Sequence, residues 1–381
     1  MSIFVKREKL TKGWKYFDIM HKDRKVVRIY SNGKCTIYYP SFMPYNLYFE
    51  KSDDLDMRVN NLNNFYYWCS SRVLTLDRKY AKEIMAAIGA NQAVTDKDRA
   101  MITVSYHGLS LTDVYWIRAE KENLSFSEVS LYTHSLSGAF TDVSLRGRAI
   151  TLQNAELAIS TDAAGDVAVQ GVAPKAWIRE NGRIYLLKDG DERDVSAELL
   201  ASKIVSCFDV QHVDYTEDYF DSTRVSKCEI ITSEDRSIVP FEFVSVYCDN
   251  HDIDKYEFVL KKDKYSYYMM NIIDYLIGNT DRHWGNWGFF TENSRNKLNR
   301  LYPLMDYNRA FTSYDDLDGA ACQTTEKRMT QREAAIEAVG KIGLRQTNDV
   351  DESWFTDEQI RSMFFRRLDE LRKASRQNLK D

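Results

Sequence analysis

GNTDRHWGNWGFF, residues 278–290, places a carboxylate, an imidazole and a carboxamide within six positions, beside two tryptophans. A packing segment gains little from Asp281, His283 and Asn286 in that setting, whereas a catalytic loop requires such crowding. Just upstream, Met269, Ile272, Ile273 and Leu276 recur at helical spacing, and Gly278 stands where a helix would stop. The stretch therefore reads as a polar loop leaving the C-terminus of an apolar helix, with Trp284 and Trp287 as core anchors.

A second carboxylate, Asp306, follows Asn286 by 20 residues in LYPLMDYNRAF, a separation that fits a strand, a turn and a return strand. Asp281, Asn286 and Asp306 are the set that phosphoryl transfer needs: one carboxylate to orient an accepting hydroxyl, and a carboxamide and a second carboxylate to hold Mg²⁺ on the phosphates. In protein kinases the base precedes the asparagine by five residues, as Asp281 precedes Asn286. His283, with no second histidine nearby in sequence, is expected to hydrogen-bond the loop backbone and fix its shape.

Phosphoryl transfer also needs a cation on the phosphates and a group to hold it. Lys188 ends a strand in YLLK, and Glu198 lies in the helix that follows, DVSAELLASKIVSCF. That order lets a strand lysine pair with a helix glutamate. Upstream, GDVAVQGVAPK offers Gly171 and Lys175 in a loop suited to cover phosphates, although it lacks a full G-x-G-x-x-G. Each residue alone has a plainer reading, as a solvated lysine, a helix-turn acid or a turn cap; their order in the chain is what carries the argument.

The 381 residues exceed one small core and predict two or three compact units. With 52 basic against 57 acidic residues, a net charge of −5, no overall cationic field draws the chain to nucleic acid or to a membrane. No stretch approaches the roughly 20 apolar residues of a membrane span, and the N-terminus lacks a signal-peptide core, so a cytoplasmic location is expected. Cysteines 35, 69, 207, 228, 248 and 322 are scattered, without C-x-x-C pairs, and read as buried thiols.

Along the chain, Asn32-Gly33 marks a hairpin turn between KVVRIY and CTIYY, and Asn181-Gly182 marks another before the strand ending at Lys188. Residues 78–88 place Ala81, Ile84, Met85 and Ile88 on one helix face before Gly89. AMITVSYHG (100–108), DVYWIRAE (113–120) and KCEIITSEDRSIVPFEFVSVY (227–247) read as strands. In the helix carrying Glu198, Ser196 is the expected N-cap, with Leu200, Ile204 and Phe208 on one face. Capping boxes Thr330/Glu333 and Thr356/Gln359 predict two later helices. The expected organisation is a β-containing extension (1–150), structural or partner-binding, a small ATP-binding lobe (151–255) and a helical catalytic lobe (256–381).

Asn279-x-Asp281-x-His283-x-x-Asn286, followed by PLMDYNRAF and preceded by GVAPKAW, YLLK and SAELLA, resembles the HipA-like Ser/Thr kinases, over about residues 165–312. The resemblance implies an α+β, bilobal protein-kinase-like fold related to the phosphoinositide kinases, with a β-rich extension and ATP lobe before a mainly helical lobe. It implies an ATP- and Mg²⁺-dependent kinase acting on Ser/Thr of a protein substrate, and the toxin role of toxin–antitoxin pairs, with an antitoxin-like partner. On this chain Asp281 would be the catalytic base, Lys188 a phosphate ligand supported by Glu198, Asn286 and Asp306 the magnesium ligands, and Lys175 part of the phosphate-side loop. The hinge that contacts adenine would fall at Glu242 and Phe243.

Two departures bear on regulation. Ala168 stands where the family often carries an autophosphorylated serine, with Ser160 and Thr161 the nearest hydroxyls upstream, so autoinhibition by that route is not expected. Asn308 replaces the glycine of Asp-Phe-Gly, so a mobile metal loop is less expected. The alternatives are a small-molecule or lipid kinase, since phosphoinositide kinases share the same loop logic, and a nucleotide-binding pseudokinase regulator. A dinuclear phosphatase is disfavoured by six dispersed histidines.

Overall fold

The computed structural model describes residues 14–74, 79–87, 95–134, 136, 144–145, 174–189, 191–311 and 316–377. The chain divides into two compact units. One comprises Met1–Lys188, Glu229–Ser237 and Thr291–Lys297; the other comprises Asp189–Cys228, Ile238–Phe290 and Leu298–Asp381.

In the first unit, β1 (Tyr16–His21), β2 (Arg24–Tyr30), β3 (Cys35–Ile37) and β4 (Tyr115–Ala119) form an antiparallel sheet in the order β3-β2-β1-β4. The Asn32-Gly33 turn joins β2 to β3 as expected, closed by the Gly33 N–H donating to the Tyr30 carbonyl. Alternation along β1 sends Phe17 and Ile19 to one face, opposite Ile29 and Val27, where they pack on Phe65, Trp68 and Cys69 of α1 (Leu55–Ser70). Met20 and Trp116 belong to a second apolar cluster with Ile84 and Met85 of α2 (Ala81–Ala87). Ile88 and Gly89, expected to finish that helix, lie outside the described residues.

Residues 100–108, expected as a strand, are mostly helical: α3 spans Asp96–Ser105. Its start is set by a capping box, Thr95 with Asp98. Burial of Ala100, Ile102 and Val104 then outweighs the strand preference of the β-branched residues. A short α4 (Phe126–Val129) follows β4. The expected hairpin of β5 (Lys175–Glu180) and β6 (Arg183–Lys188) is present, with Asn181 and Gly182 both at positive φ. Its register sets Lys175 directly opposite Lys188.

The remaining elements are α5 (Glu192–Val205), β7 (Thr216–Phe220), β8 (Thr223–Glu229), β9 (Arg236–Pro240), α6 (Phe241–Asp249), α7 (Lys255–Ile277), β10 (Gly288–Glu292), β11 (Lys297–Leu301), α8 (Gln331–Ile342) and α9 (Glu358–Gln377). In α5 the cap is Asp191, which accepts from the Asp194 N–H, and Ser196 lies inside the helix. The inward face carries Val195, Glu198, Ala201, Ile204 and Val205, so Leu200 and Phe208 do not define it.

Residues 241–247 were expected to extend a strand and instead open α6. The physical reason lies at the N-terminus, where a helix leaves donors unpaired. Here the Phe241 N–H bonds the Trp287 carbonyl and the Glu242 N–H bonds the Trp284 carbonyl.

Helix α7 departs from helical geometry at Asp263, whose carboxylate accepts from the Ser266 N–H and, on its other oxygen, from the Leu301 N–H of β11. Beyond it every residue from Tyr267 to Ile277 is buried. Gly278 ends the helix at φ 59°, as expected of a left-handed cap. The Thr330/Glu333 box starts α8 as expected, whereas α9 is capped by Asp357 rather than Thr356, through the Gln359 and Ile360 N–H groups. Five of the six cysteines are buried and all are free thiols. Among the described residues, no helix is long and apolar enough to cross a membrane.

His21, in β1, is 3% exposed, packs edge-on against Phe42 and Tyr115, and has no hydrogen-bond partner on Nε2. Burial pushes its pKa down to about 4, only partly countered by Asp113. An unfolded histidine titrates near 6.5, so between about pH 6.5 and 4 the unfolded chain binds the extra proton. This contribution to stability is complete above that window and lost as pH falls through it. Urea unfolding at pH 7 and pH 4.5 should therefore show an acid-induced loss that His21→Gln reduces by roughly 2–3 kcal/mol. An identical loss in the variant would refute this account.

Candidate active site

The loop after α7 is built on a buried ion pair. Asp274, on the last turn of the helix, and Arg282, four residues past the Gly278 cap, are 4% and 2% exposed. The guanidinium reaches both Asp274 oxygens, Nε to Oδ2 at 2.9 Å and Nη2 to Oδ1 at 3.0 Å. Its remaining nitrogen, Nη1, donates to the Asn286 carbonyl at 3.0 Å and the Met305 carbonyl at 2.6 Å. One side chain thus ties the helix end, the far side of the loop and the residue before Asp306 together. Burial opposes the Arg282 charge, but Asp274 more than restores it and raises the pKa. Asn279, fully buried, completes the turn: Nδ2 donates to Asp274 and Oδ1 accepts from the Asp281 N–H at 3.1 Å.

On this base Asn286 bonds the backbone of Asp281, and Asp281 lies close enough to Asp306 for their charges to interact. The Asn286 Nδ2 donates to the Asp281 carbonyl at 2.8 Å, which directs the amide oxygen elsewhere. Asp306 sits at φ 64°, with its N–H donating to the Tyr215 hydroxyl at 3.2 Å. Partial burial raises the Asp281 pKa; His283 opposes the shift and the negative charge of Asp306 adds to it. Two carboxylates near enough to repel are hard-oxygen donors of the kind that a small divalent cation would satisfy. Among the described residues no cluster of three or more His, Cys, Asp or Glu is placed to hold a metal. Magnesium does not require one, since it is commonly held by one or two protein oxygens plus phosphates and waters.

His283 is exposed, and its Nδ1 accepts from the Gly285 N–H at 3.0 Å, the backbone contact expected of it. Accepting there leaves the proton of the neutral ring on Nε2. A Cβ at Gly285 would lie 2.8 Å from His283 Cε1, so a side chain there would push the exposed imidazole aside. Glu242 stands 3.8 Å from that same point, and crowding around its carboxylate raises the pKa against the opposing influence of His283. Glu242 and Phe243, expected at the adenine hinge, thus lie in the first turn of α6, with Glu242 beside the loop. Trp287 is buried and stacks on Phe241 at 4.1 Å, while Trp284 is only half-buried.

Glu198, 1% exposed, accepts from the Ser226 hydroxyl and, at 3.3 Å, from the Tyr307 N–H next to Asp306. Lys175 and Lys188 belong to the first unit, buried and facing one another across the hairpin. Gly171, Ala168, Ser160 and Thr161 lie outside the described residues. The sequence reading passed over Asp274, Arg282 and Tyr215. Asp274 carried a usable signal: it is the single charged residue in YYMMNIIDYLI, and an aspartate at such a position needs a buried cation.

No protein-family model and no curated protein matches the sequence. Among solved structures, the Helicobacter pylori proinflammatory kinase CtkA is similar at a TM-score of 0.41 and 17% identity, over 54% of this chain and 94% of that one. HipA of Shewanella oneidensis MR-1, solved with HipB and operator DNA, is similar at a TM-score of 0.53 and 12% identity, over 95% of this chain and 90% of that one. The likeness to HipA runs through nearly the whole of both chains, and it shows that this chain has the HipA-like kinase fold.

Proposed function

We propose that this protein is an ATP- and Mg²⁺-dependent kinase that phosphorylates Ser or Thr of a protein. The observation that carries the reading is the joining of Asp281, Asn286 and Asp306 through one loop, with Arg282 bonded to both the Asn286 and Met305 carbonyls. In this reading Asp281 orients the acceptor hydroxyl and takes its proton; its raised pKa makes it a stronger base than a solvated aspartate. The Asn286 amide oxygen and the Asp306 carboxylate would hold the metal. Magnesium supplies neutralisation of the charge on the phosphates.

Lys188, with Lys175, is the cation assigned to the phosphates in this reading, a role that rests on the order of these residues in the chain. Glu198, bonded to the Tyr307 N–H, steadies the Asp306 segment. The HipA likeness, from a complex with HipB, supports an antitoxin-like partner for this chain, and a cytoplasmic location is part of the same proposal.

Incubation with γ-labelled ATP, Mg²⁺ and a cytosolic extract should label an extract protein. Asp281→Asn should lower the rate by about 10²–10⁴-fold with nucleotide binding retained. ATP binding without transfer to any protein would instead favour a small-molecule kinase or a nucleotide-sensing regulator. Because the folded protein raises the Asp281 pKa, ionising that carboxyl costs stability that is lost as pH rises through the folded value. The inactive Asp281→Asn protein should therefore melt about 1–3 °C higher at pH 7 without ligands; an equal or lower Tm would contradict the electrostatic account.

Asp306→Asn should weaken nucleotide binding at least about tenfold in Mg²⁺ and change it less than about twofold in EDTA. Titration calorimetry under both conditions separates the two, and equal losses would remove Asp306 from the metal site.

A further inference from the structure

Three consecutive carbonyls lead into and through the proposed base, and each accepts a hydrogen bond from a side-chain carboxamide. Asn279 O accepts from Gln331 Nε2 at 2.6 Å, Thr280 O from Gln323 Nε2 at 2.7 Å, and Asp281 O from Asn286 Nδ2 at 2.8 Å. Carbonyls just past a helix C-terminus have no intrahelical donor and are usually left to water. Here protein amides take that place at all three, fixing three successive peptide planes and with them the backbone on both sides of Asp281.

Asn286 belongs to the site already described; the two glutamines do not. Gln331 opens α8, is 6% exposed, and has its own oxygen engaged by the Ala320 N–H at 3.2 Å. Gln323 lies on the surface in the segment before α8, and its carbonyl accepts from Trp284 Nε1 at 3.2 Å, so it grips the loop at two points. The segment itself is fastened to α7, where Thr324 Oγ1 donates to Asn271 Oδ1.

We infer that Gln323 and Gln331 are positioning residues for Asp281, forming a neutral latch between the chain after Asp306 and the loop that carries the base. The inference rests on the kinase reading for its catalytic consequence but not for its structural one. A latch made of amides leaves substrate contacts alone and governs only how well the base is aimed. Misplacing a catalytic group by about 1 Å costs up to about 10²-fold.

The test uses Gln323→Glu and Gln331→Glu in the full chain, near-isosteric changes that turn a donor into an acceptor facing a carbonyl. Two measurements are made: hydrogen–deuterium exchange across residues 279–286 without ligands, and steady-state kinetics with Mg-ATP. Faster exchange in that loop, with kcat reduced about tenfold or more and the KM for ATP within about twofold of wild type, is the expected result. Gln331 is buried and its variant is open to misfolding; Gln323 is exposed, so its variant alone decides the matter in that event. Unchanged exchange in the loop overturns the latch, and faster exchange with unchanged kcat overturns its positioning role. If wild type transfers no phosphate while exchange rises in the variants, the latch stands and the kinase reading falls.

Discussion

The buried pair of Arg282 and Asp274 is the constraint on which the rest of the loop depends. A guanidinium at 2% exposure is tolerated only when its charge and its donors are met. Asp274 meets the charge with both oxygens; the carbonyls of Asn286 and Met305 take the remaining nitrogen. Removing one partner of such a pair typically costs about 3–5 kcal/mol, because the other is left buried and uncompensated. The pair adds less than that to stability in the intact protein. Its value lies in geometry: five donors in a rigid fork allow one solution for where the loop and the Asp306 segment sit.

That geometry requires a helix end that does not move. From Tyr267 to Ile277 α7 is buried on every side, so Asp274 is held by packing in all directions. Gly278 then turns the chain sharply enough for Arg282 to come back over the helix terminus. The same loop receives the N-terminus of α6, whose first two N–H groups end on Trp287 and Trp284 carbonyls. Helix ends, with their unpaired donors and acceptors, are natural points of attachment for irregular backbone. Here the C-terminus of one helix and the N-terminus of another hold opposite ends of the same loop.

Signals that act within a few residues were legible in the sequence. Asn-Gly at 32–33 and 181–182 gave hairpins, Gly278 ended a helix, and Thr330 with Glu333 began one. The candidate site could be proposed from the sequence for a related reason: Asp281, His283 and Asn286 share one loop, and Asp306 lies one hairpin away. What failed depended on partners distant in sequence. Phe241–Asp249 looks like a strand until its free N–H groups find two carbonyls more than forty residues on. Helix α3 looks like a strand until its β-branched residues are paired with the core. The two missed caps were local instead: Asp357 took the Gln359 N–H expected of Thr356, and Asp191 started α5 ahead of Ser196. Arg282 and Asp274 meet across a turn whose shape the sequence alone does not give.

Electrostatic economy explains why the loop is held in the way it is. Asp281 and Asp306 already repel, and every further charge near them would move the pKa of the proposed base. Arg282, buried beneath the loop, is paired with Asp274. The carbonyls of Asn279, Thr280 and Asp281 each accept from a side-chain carboxamide, which holds a carbonyl firmly and adds no net charge. A lysine or arginine in place of Gln323 would also grip Thr280, but its field would lower the basicity of Asp281. Neutral donors separate the problem of holding the loop from the problem of tuning its acid–base group, leaving the field at Asp281 to Asp306, His283, Arg309, Arg282 and whatever binds there.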